Sequence, residues 1–266
     1  NSVPPSAGET VIKAVRVAGG LPDDPADPAW DSAPAMTFAL APNIIKEPRL
    51  FFSLNDMITV RALFNGSEIA LRLDVDDRTY SVPGDALELA YRLDDVEPAR
   101  DAVSVQFPME LTPAGKPWFR HGDPKNAVNM WVWAAPSVEP EAAESVVLMD
   151  AAGPAKPPVP RPDSSALSGK GVWKNGRWQV VFRRSLETDA VNDLQFVEGR
   201  YIPISFANWD GLAGESGGRH SFTSWYWLLL EPPENKAVLY GAPPAAGLLA
   251  GFLFLIAARR QRRRFG

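Results

Sequence analysis

Two histidines are the side chains of this sequence best suited to chemistry, and the 266 residues contain only these two. His121 lies in the turn-like stretch RHGDP, just before the aromatic strand pattern NMWVWAA. His220 follows two glycines and precedes a second aromatic strand pattern, SFTSWYWLLL. The chain has no cysteine, which excludes disulfides, thiolate zinc sites, iron–sulfur clusters and covalently attached haem.

The similar setting of the two histidines allows two interpretations. Two imidazoles without a third protein ligand make a poor zinc site. Facing each other across an iron porphyrin, they would fill both axial positions, and the surrounding Trp and Phe side chains would bury the ring. Such a haem would be non-covalent, of the b type. The alternative is that His121 and His220 are unrelated structural residues, and the residues alone leave both interpretations open.

Two other patterns imitate functional motifs. Residues 214–218 (GESGG) match the G-x-S-x-G nucleophile elbow, but that motif needs a helix after it and an acid and a histidine later in the chain. A strand pattern follows instead, so a glycine-rich loop is the better interpretation. Asp74, Asp76 and Asp77 resemble part of a calcium loop but lack its twelfth-position Glu, which favours a surface turn.

The segment 238–258 (VLYGAPPAAGLLAGFLFLIAA) has no charged residue and is followed directly by RRQRRR. At about 1.5 Å per residue it would span roughly 31 Å, the thickness of a bilayer core. We therefore predict a transmembrane helix at 238–258 and a basic cytoplasmic tail at 259–266. The main domain, residues 1–230, would lie on the extracytoplasmic (periplasmic) side, joined by a linker at 231–237. Because the first residue is Asn, we expect that an export signal has been removed.

The charge of the chain is unevenly distributed. The net charge is −5, although five arginines lie in the tail RRQRRR. The main domain is therefore more acidic than the chain as a whole, which argues against nucleic acid as its partner.

The main domain has the pattern of an all-β fold. MITVRALFNGSEIALRLDVDD (57–77) predicts a hairpin around Asn65-Gly66. Residues 136–170 are rich in Pro, Ala and Ser and predict a long surface loop within one domain. Together the patterns favour an immunoglobulin-like β-sandwich with a single C-terminal transmembrane helix. Further strands are predicted at Ala102–Phe107, Asn129–Ala134, Arg177–Arg183, Ile202–Trp209 and Ser221–Leu230.

Six longer motifs occur in order between about residues 27 and 230: DPAWDSAP (27–34), EIALRLDVDDRT (68–79), DAVSVQFP (101–108), GDPKNAVNMWVWAA (122–135), GRWQVVFRRSL (176–186) and PISFANWDGLAGESGGRHSFTSWYWLLL (203–230). Their order and spacing resemble the haem b-binding gamma subunits of ethylbenzene dehydrogenase, dimethyl sulfide dehydrogenase, selenate reductase and related nitrite oxidoreductase-type complexes. The resemblance implies a DOMON-like β-sandwich that holds one haem at one end with two loops.

The resemblance also implies which residues bind the haem iron. The ligands commonly described for the family are a Met and a Lys, and their positions correspond here to His121 and His220. We therefore expect two histidine ligands, with Met109 and Met130 as fallback ligands, and a lower potential than thioether ligation gives.

Other candidate cofactor-binding residues lie beside these ligands in the sequence. Three cations flank the two loops and would pair with the haem propionates, unless they are simply solvated. Three residues of the aromatic strand are expected in the core or in the pocket wall. These six residues are Arg120, Lys125, Arg219, Trp131, Trp133 and Met130.

The resulting hypothesis is a membrane-anchored electron-transfer subunit with no catalytic residues of its own. The resemblance implies a molybdopterin catalytic subunit and an iron–sulfur subunit as partners, with a quinone-linked or cytochrome carrier receiving or supplying single electrons. Two alternatives remain: a membrane-anchored carbohydrate- or ligand-binding sandwich, and a structural subunit of a respiratory complex.

Overall fold

A computed structural model describes residues 4–45, 47–85, 98–112, 116–138 and 141–232. The chain divides after Glu231, and all but one of these residues lie in the unit Asn1–Glu231. None of the described residues belongs to a helix with the length and hydrophobicity that a bilayer crossing requires. The predicted transmembrane helix at 238–258 and the basic tail at 259–266 lie outside the described residues.

The described residues form fourteen β-strands and one short 3-10 helix (Pro28–Ser32), which the motif DPAWDSAP builds with Asp27 as its N-cap. The prediction of an all-β main domain is therefore confirmed. In chain order the strands are β1 (Val11–Arg16), β2 (Met36–Ala39), β3 (Ala41–Pro42), β4 (Met57–Phe64), β5 (Glu68–Asp76), β6 (Ala102–Pro108), β7 (Val128–Ala134), β8 (Ser145–Ala151), β9 (Val159–Pro160), β10 (Leu167–Trp173), β11 (Arg177–Ser185), β12 (Tyr201–Trp209), β13 (Ser221–Phe222) and β14 (Tyr226–Leu230).

The strands form two sheets that share β12. The first sheet runs β10-β11-β5-β4-β1-β14 and continues into the first half of β12, while β2 pairs with β4. The second half of β12 pairs with β6, which begins the second sheet, β6-β7-β8-β9. A strand that changes sheets in this way makes a corner of a sandwich.

The core lies between the two sheets. Alternate residues of each strand point inward, as the two-residue period of a strand requires. In β7 the inward side chains are Trp131 and Trp133, whose rings contact Phe182 (6.2 Å between centroids) and Trp178 (4.8 Å) of β11. The other face of β7, which carries Met130 and Val132, points away from this core and towards the cavity described below.

The predicted hairpin is confirmed, with β4 and β5 joined at Asn65-Gly66-Ser67. The Asn65 side-chain oxygen accepts hydrogen bonds from the backbone nitrogens of Ser67 and Glu68, both at 2.8 Å. These bonds stabilise the turn locally, which is why the sequence alone identifies it.

The prediction of a long loop at 136–170 is wrong. Strands β8 and β9 lie within this segment, and β10 begins in it. Strand β10 was not predicted because its pattern LSGKGVW contains two glycines, which are unusual inside strands. Gly171 is nevertheless required in this strand, because a Cβ at that position would overlap the Trp133 ring. The predicted strand Ser221–Leu230 is likewise two strands, β13 and β14.

Candidate cofactor site

The structure brings His121 and His220 together, with ring centroids 5.4 Å apart and ring planes inclined by 35°. Two imidazoles that ligate one metal ion have centroids about 6 Å apart, because each metal–nitrogen bond is about 2 Å long. The observed centroid spacing is close to this value.

The loop that carries His121 has an unusual backbone. His121 has φ 56°, in the left-handed region that side chains larger than glycine seldom adopt, and Gly122 follows with φ 72°. Backbone hydrogen bonds hold the loop from both sides: Gly122 N donates to Trp118 O (3.0 Å), and Gly153 N donates to His121 O (2.8 Å). Strained conformations that are held in this way are frequent at functional sites.

The ring of His121 is oriented by two buried residues of the second sheet. Its Nδ1 lies 3.1 Å from Gln106 Oε1. The Gln106 Nε2 donates to Ser205 Oγ at 2.5 Å, so the amide oxygen is left to accept from the histidine. Gln106 and Ser205 are paired directly across β6 and β12. Histidine ligands of metals almost always donate the other ring N–H in this manner, which leaves Nε2 as the free lone pair.

The ring of His220 is also oriented by a hydrogen-bond acceptor at its Nδ1. Its Nδ1 lies 3.1 Å from the carbonyl oxygen of Gly217, which can only accept a hydrogen bond. The Trp209 ring packs beside it with centroids 4.9 Å apart. Asn43 ties this loop to the rest of the fold, since its N donates to His220 O (3.0 Å) and its Nδ2 donates to Gly218 O (2.5 Å). His220 therefore also presents Nε2 as its free nitrogen.

Both imidazoles are held neutral. Burial lowers the pKa of His121 to about 4, helped by the positive charge of Arg120. Burial lowers the pKa of His220 to about 3, helped by the neighbouring His121. A neutral imidazole is the form that binds a metal, because only it has an unprotonated nitrogen.

These shifts predict that the two histidines contribute a loss of stability to the haem-free chain as the pH falls from about 6.5 to 4. Unfolded histidines have a pKa of about 6.5 and take up protons in this range before the folded ones do. At pH 5 the loss is roughly 2 kcal/mol for each histidine. Thermal unfolding of the full-length haem-free chain at pH 7 and pH 5 measures it. The reference is a His121→Gln/His220→Gln double variant, because buried carboxyl groups such as Asp77 and Glu215, with their raised pKa values, add stability over the same range. The stability of the wild type relative to this variant should fall between pH 7 and pH 5; an unchanged difference would contradict the assignment.

The two histidines open on one cavity of about 630 Å³, within the usual range for cofactor sites. The cavity lies over the outer face of the second sheet, and not at one end of the sandwich as the family resemblance implied. Its floor is formed by Met130, Val132 and Met149 of β7 and β8, and its rim by the loops at 154–158 and 215–220. A mostly apolar wall with a few converging polar groups suits a flat hydrophobic cofactor.

Only some of the site residues predicted from the sequence line the cavity in the structure. Arg120 and Met130 line the cavity together with the two histidines. Arg219 and Lys125 are not part of its lining, and Lys125 is exposed in a turn. The side chains of Trp131 and Trp133 are in the sandwich core, because in β7 they alternate with the cavity-facing Met130 and Val132.

Residues at the site that the sequence did not single out include Gln106, Val132, Met149 and Glu215. The pattern of β6 held a clue for the first of them. In AVSVQFP the polar Ser104 and Gln106 occupy one face and the apolar residues the other, so a polar partner was to be expected on the outer face.

Comparisons with known proteins agree with the sequence motifs. The family model for ethylbenzene dehydrogenase matches residues 147–221, a range that includes His220. A protein of Haloferax mediterranei named as a respiratory nitrate reductase heme subunit is 27% identical over 242 residues, covering 88% of this chain and 79% of that protein. The chlorate reductase subunit gamma of Ideonella dechloratans is 26% identical over 222 residues, covering 83% and 84%.

Solved structures show a weaker likeness. A family 9 carbohydrate binding module of Caldicellulosiruptor kristjanssonii with cellotriose is 11% identical, with a TM-score of 0.45 and coverage of 86% of this chain and 97% of that one. The module with glucose is 9% identical, with a TM-score of 0.44 and coverage of 85% and 98%. Similarity at this level carries no argument about this chain.

The family match and the two relatives confirm that the chain resembles the ethylbenzene dehydrogenase-like family of haem-binding gamma subunits.

Proposed function

We propose that this chain is a b-type cytochrome subunit that carries single electrons within an oxidoreductase complex. One non-covalent haem would be bound in the cavity, with His121 and His220 as its axial ligands. The observation that carries the proposal is the pair of neutral imidazoles 5.4 Å apart, each with Nδ1 engaged and both opening on one cavity.

The residues of the cavity fit a haem. When bound, haem supplies a one-electron iron couple whose potential depends on its axial ligands and surroundings. The two histidines would hold the iron, and Met130, Val132 and Met149 would exclude water from the ring. Arg120 is buried, lines the cavity and forms no hydrogen bond or ion pair with another described residue. An unpaired guanidinium of this kind suits a propionate carboxylate.

The relatives support a role in a larger complex. The two matched proteins are named as subunits of a nitrate reductase and a chlorate reductase. By analogy with the resembled family, we propose a molybdopterin catalytic subunit and an iron–sulfur subunit as partners of this chain. The chain would exchange electrons between them and a quinone-linked or cytochrome carrier, and would perform no substrate chemistry itself.

An exposed apolar loop beside the cavity supports partner contact there. Ile44, Ile45, Phe51, Phe52 and Leu54 are all more than half exposed. They surround Glu47 and Pro48 in the sequence, and both of these line the cavity. Apolar clusters that face solvent commonly mark interaction surfaces. A partner bound on this loop would bring its redox centre close to the cavity.

Membrane attachment is a separate part of the proposal. We propose that residues 238–258 anchor the chain by one transmembrane helix, with the main domain on the periplasmic side and the arginines of the tail in the cytoplasm. Fractionation of cells with and without residues 238–266 tests this point, because the truncated chain should move from the membrane to the soluble fraction.

Gln106 is proposed as the residue that positions His121. Replacing Gln106 by Leu removes the acceptor of the Nδ1 proton, and we expect 10- to 100-fold weaker haem binding, as is typical when a second-shell partner of a metal ligand is lost. A haem titration followed by absorbance measures the effect. The conservative variant Gln106→Glu keeps an acceptor and should retain most of the affinity, whereas equal losses would contradict a positioning role.

The proposed function is tested on the native complex. The chain is purified with its partners under mild conditions, its subunits are identified, and a reduced-minus-oxidised spectrum is recorded. We expect a b-type spectrum that is reduced by the substrate or the donor of the complex. A complex without haem in this subunit, or a haem that does not respond, would overturn the proposal.

The alternative of a carbohydrate-binding module is less well supported. It predicts exposed tryptophans as a binding platform. All nine tryptophans fall within the described residues, and only Trp118 is among their exposed large apolar side chains. The same alternative gives no role to His121 and His220.

A further inference from the structure

Three buried aspartates converge where two strands end and a third begins. Asp77 follows β5, Asp101 precedes β6 and Asp210 follows β12. Ala102 and Trp209 are paired across β6 and β12, so Asp101 and Asp210 leave the sheet side by side. One carboxylate oxygen of each aspartate lies within 4.8 Å of the others, and all three side chains are buried.

This spacing fits one cation. Calcium binds oxygen ligands at about 2.3–2.6 Å, so two ligands of the same ion lie up to about 5 Å apart. The orientation of Asp101 is fixed by backbone N–H groups of Gly211 (2.7 Å) and Ser81 (2.9 Å) and by the indole of Trp178 (2.8 Å). Carboxylate oxygens have further lone pairs, so these hydrogen bonds orient ligands without using them up.

No described Lys or Arg lies within ion-pair distance of the cluster, although the positive charge of Arg219 acts to lower the pKa of the adjacent Glu215. Asp77, Asp101, Asp210 and the adjacent Glu215 form no ion pair with any described residue. Burial and the charge of Asp210 raise the pKa of Asp77 to about 7, and burial raises the pKa of Glu215 to about 8. A bound divalent cation reverses this unfavourable situation, since it favours the charged carboxylates.

A buried amide beside the cluster lacks a partner. Asn55 is only 2% exposed, and it contacts Asp77 closely enough to lower the pKa of that carboxyl. Its Nδ2 nevertheless makes no hydrogen bond of normal geometry. Oxygen and nitrogen of an amide are nearly the same in shape, so the side chain can turn and present Oδ1 to a cation instead.

We propose that Asp77, Asp101 and Asp210 bind one calcium ion, with Asn55 as a further oxygen ligand. The donors are oxygens only, and neither His nor Cys is near, which disfavours zinc and other transition metals. The donors come from four separate chain segments, an arrangement that suits the flexible coordination of calcium better than the strict octahedron of magnesium. This site is independent of the haem proposal, and either can fail without the other.

The ion would hold the start of the loop that leads to His220. Gly211 donates to Asp101 and accepts from Ala99 N (3.0 Å), and Glu215 N donates to Asp210 O (3.0 Å). A cation bound by Asp210 joins this network to β5 and β6. We therefore expect calcium to stabilise both the sandwich edge and the loop of the second histidine.

Two measurements test the proposal: the metal content of the full-length chain and its thermal unfolding. Both are made on the chain as isolated and on the chain in the presence of calcium, of magnesium or of a chelator. We expect one calcium per chain after dialysis against calcium. We also expect the unfolding temperature to rise by about 5 °C or more when calcium is at a hundred times its dissociation constant. Magnesium should give a much smaller rise. Absence of bound calcium and of any calcium-dependent rise would overturn the proposal.

Isosteric variants separate a cation site from a merely structural cluster. Asp77→Asn and Asp210→Asn should abolish the calcium-dependent rise, yet in chelator they should be at least as stable as the wild type, because a buried repulsion is removed. The matched control is Asp76→Asn, since Asp76 is exposed and paired with Arg177. It should keep the full rise. A rise that persists in both Asp77→Asn and Asp210→Asn would refute the site, and if one variant does not fold, the other and the wild-type metal content decide.

Discussion

Replacement of His220 by Ala is expected to abolish tight haem binding and to leave the β-sandwich folded. The imidazole is buried, neutral and oriented by Gly217 O, and alanine offers no iron ligand. His121→Ala should have the same effect on the other side. Haem content per chain and the absorbance spectrum measure the loss, while thermal unfolding of the haem-free variants shows that the fold is intact.

The control for this prediction lies in the same loop as His121. Lys125 is exposed and does not line the cavity, so Lys125→Ala should retain full haem content. Added imidazole should restore the spectrum of His220→Ala, because the vacated volume admits a free ligand. A His220→Ala variant with normal haem content and an unchanged spectrum would exclude this residue as a ligand.

Replacement of Gly122 by Ala is expected to disrupt the loop of His121 severely. Gly122 has φ +72°, and a Cβ built there would overlap the Asn126 carbonyl oxygen and lie 3.1 Å from Val128. A left-handed backbone alone costs alanine about 1–2 kcal/mol. The overlap with backbone adds to this cost, so we expect a loss of about 3 kcal/mol or more in unfolding free energy, together with weaker haem binding.

Gly199→Ala is the matched control for Gly122→Ala. Gly199 has nearly the same φ, +75°, but a Cβ there would meet no atom within 4 Å. The difference between the two variants therefore isolates the steric overlap at the His121 loop. Denaturant unfolding of both proteins measures it, and equal destabilisation would show that the overlap relaxes without cost.

Local patterns explain how much of the fold was predictable. The Asn65-Gly66 turn stabilises itself through its own side chain, so the hairpin of β4 and β5 could be identified from adjacent residues. Strand β10 could not, because its Gly171 is explained only by the Trp133 ring from another strand. Alternation likewise predicts that β7 has two faces, but the sequence does not say which face meets the core and which meets the cavity.

The candidate site was also predictable only in part, because some of its residues stand out in the sequence whereas others meet only in the folded chain. The two histidines stand out because the chain has no others and because both occur in loops that precede aromatic strands. Gln106 and Ser205, which orient His121, and the cluster of Asp77, Asp101 and Asp210 depend on contacts between distant segments. Such pairings follow from strand register, which one sequence without its structure does not provide.

The central claim is that both imidazoles bind one iron, and electron paramagnetic resonance of the oxidised full-length protein tests it most directly. One non-covalent haem b per chain with a low-spin signal typical of two imidazole ligands is the predicted result. A chain that binds no haem even after supplementation, or a signal from a different ligand pair that is unchanged in His121→Ala and His220→Ala, would contradict it.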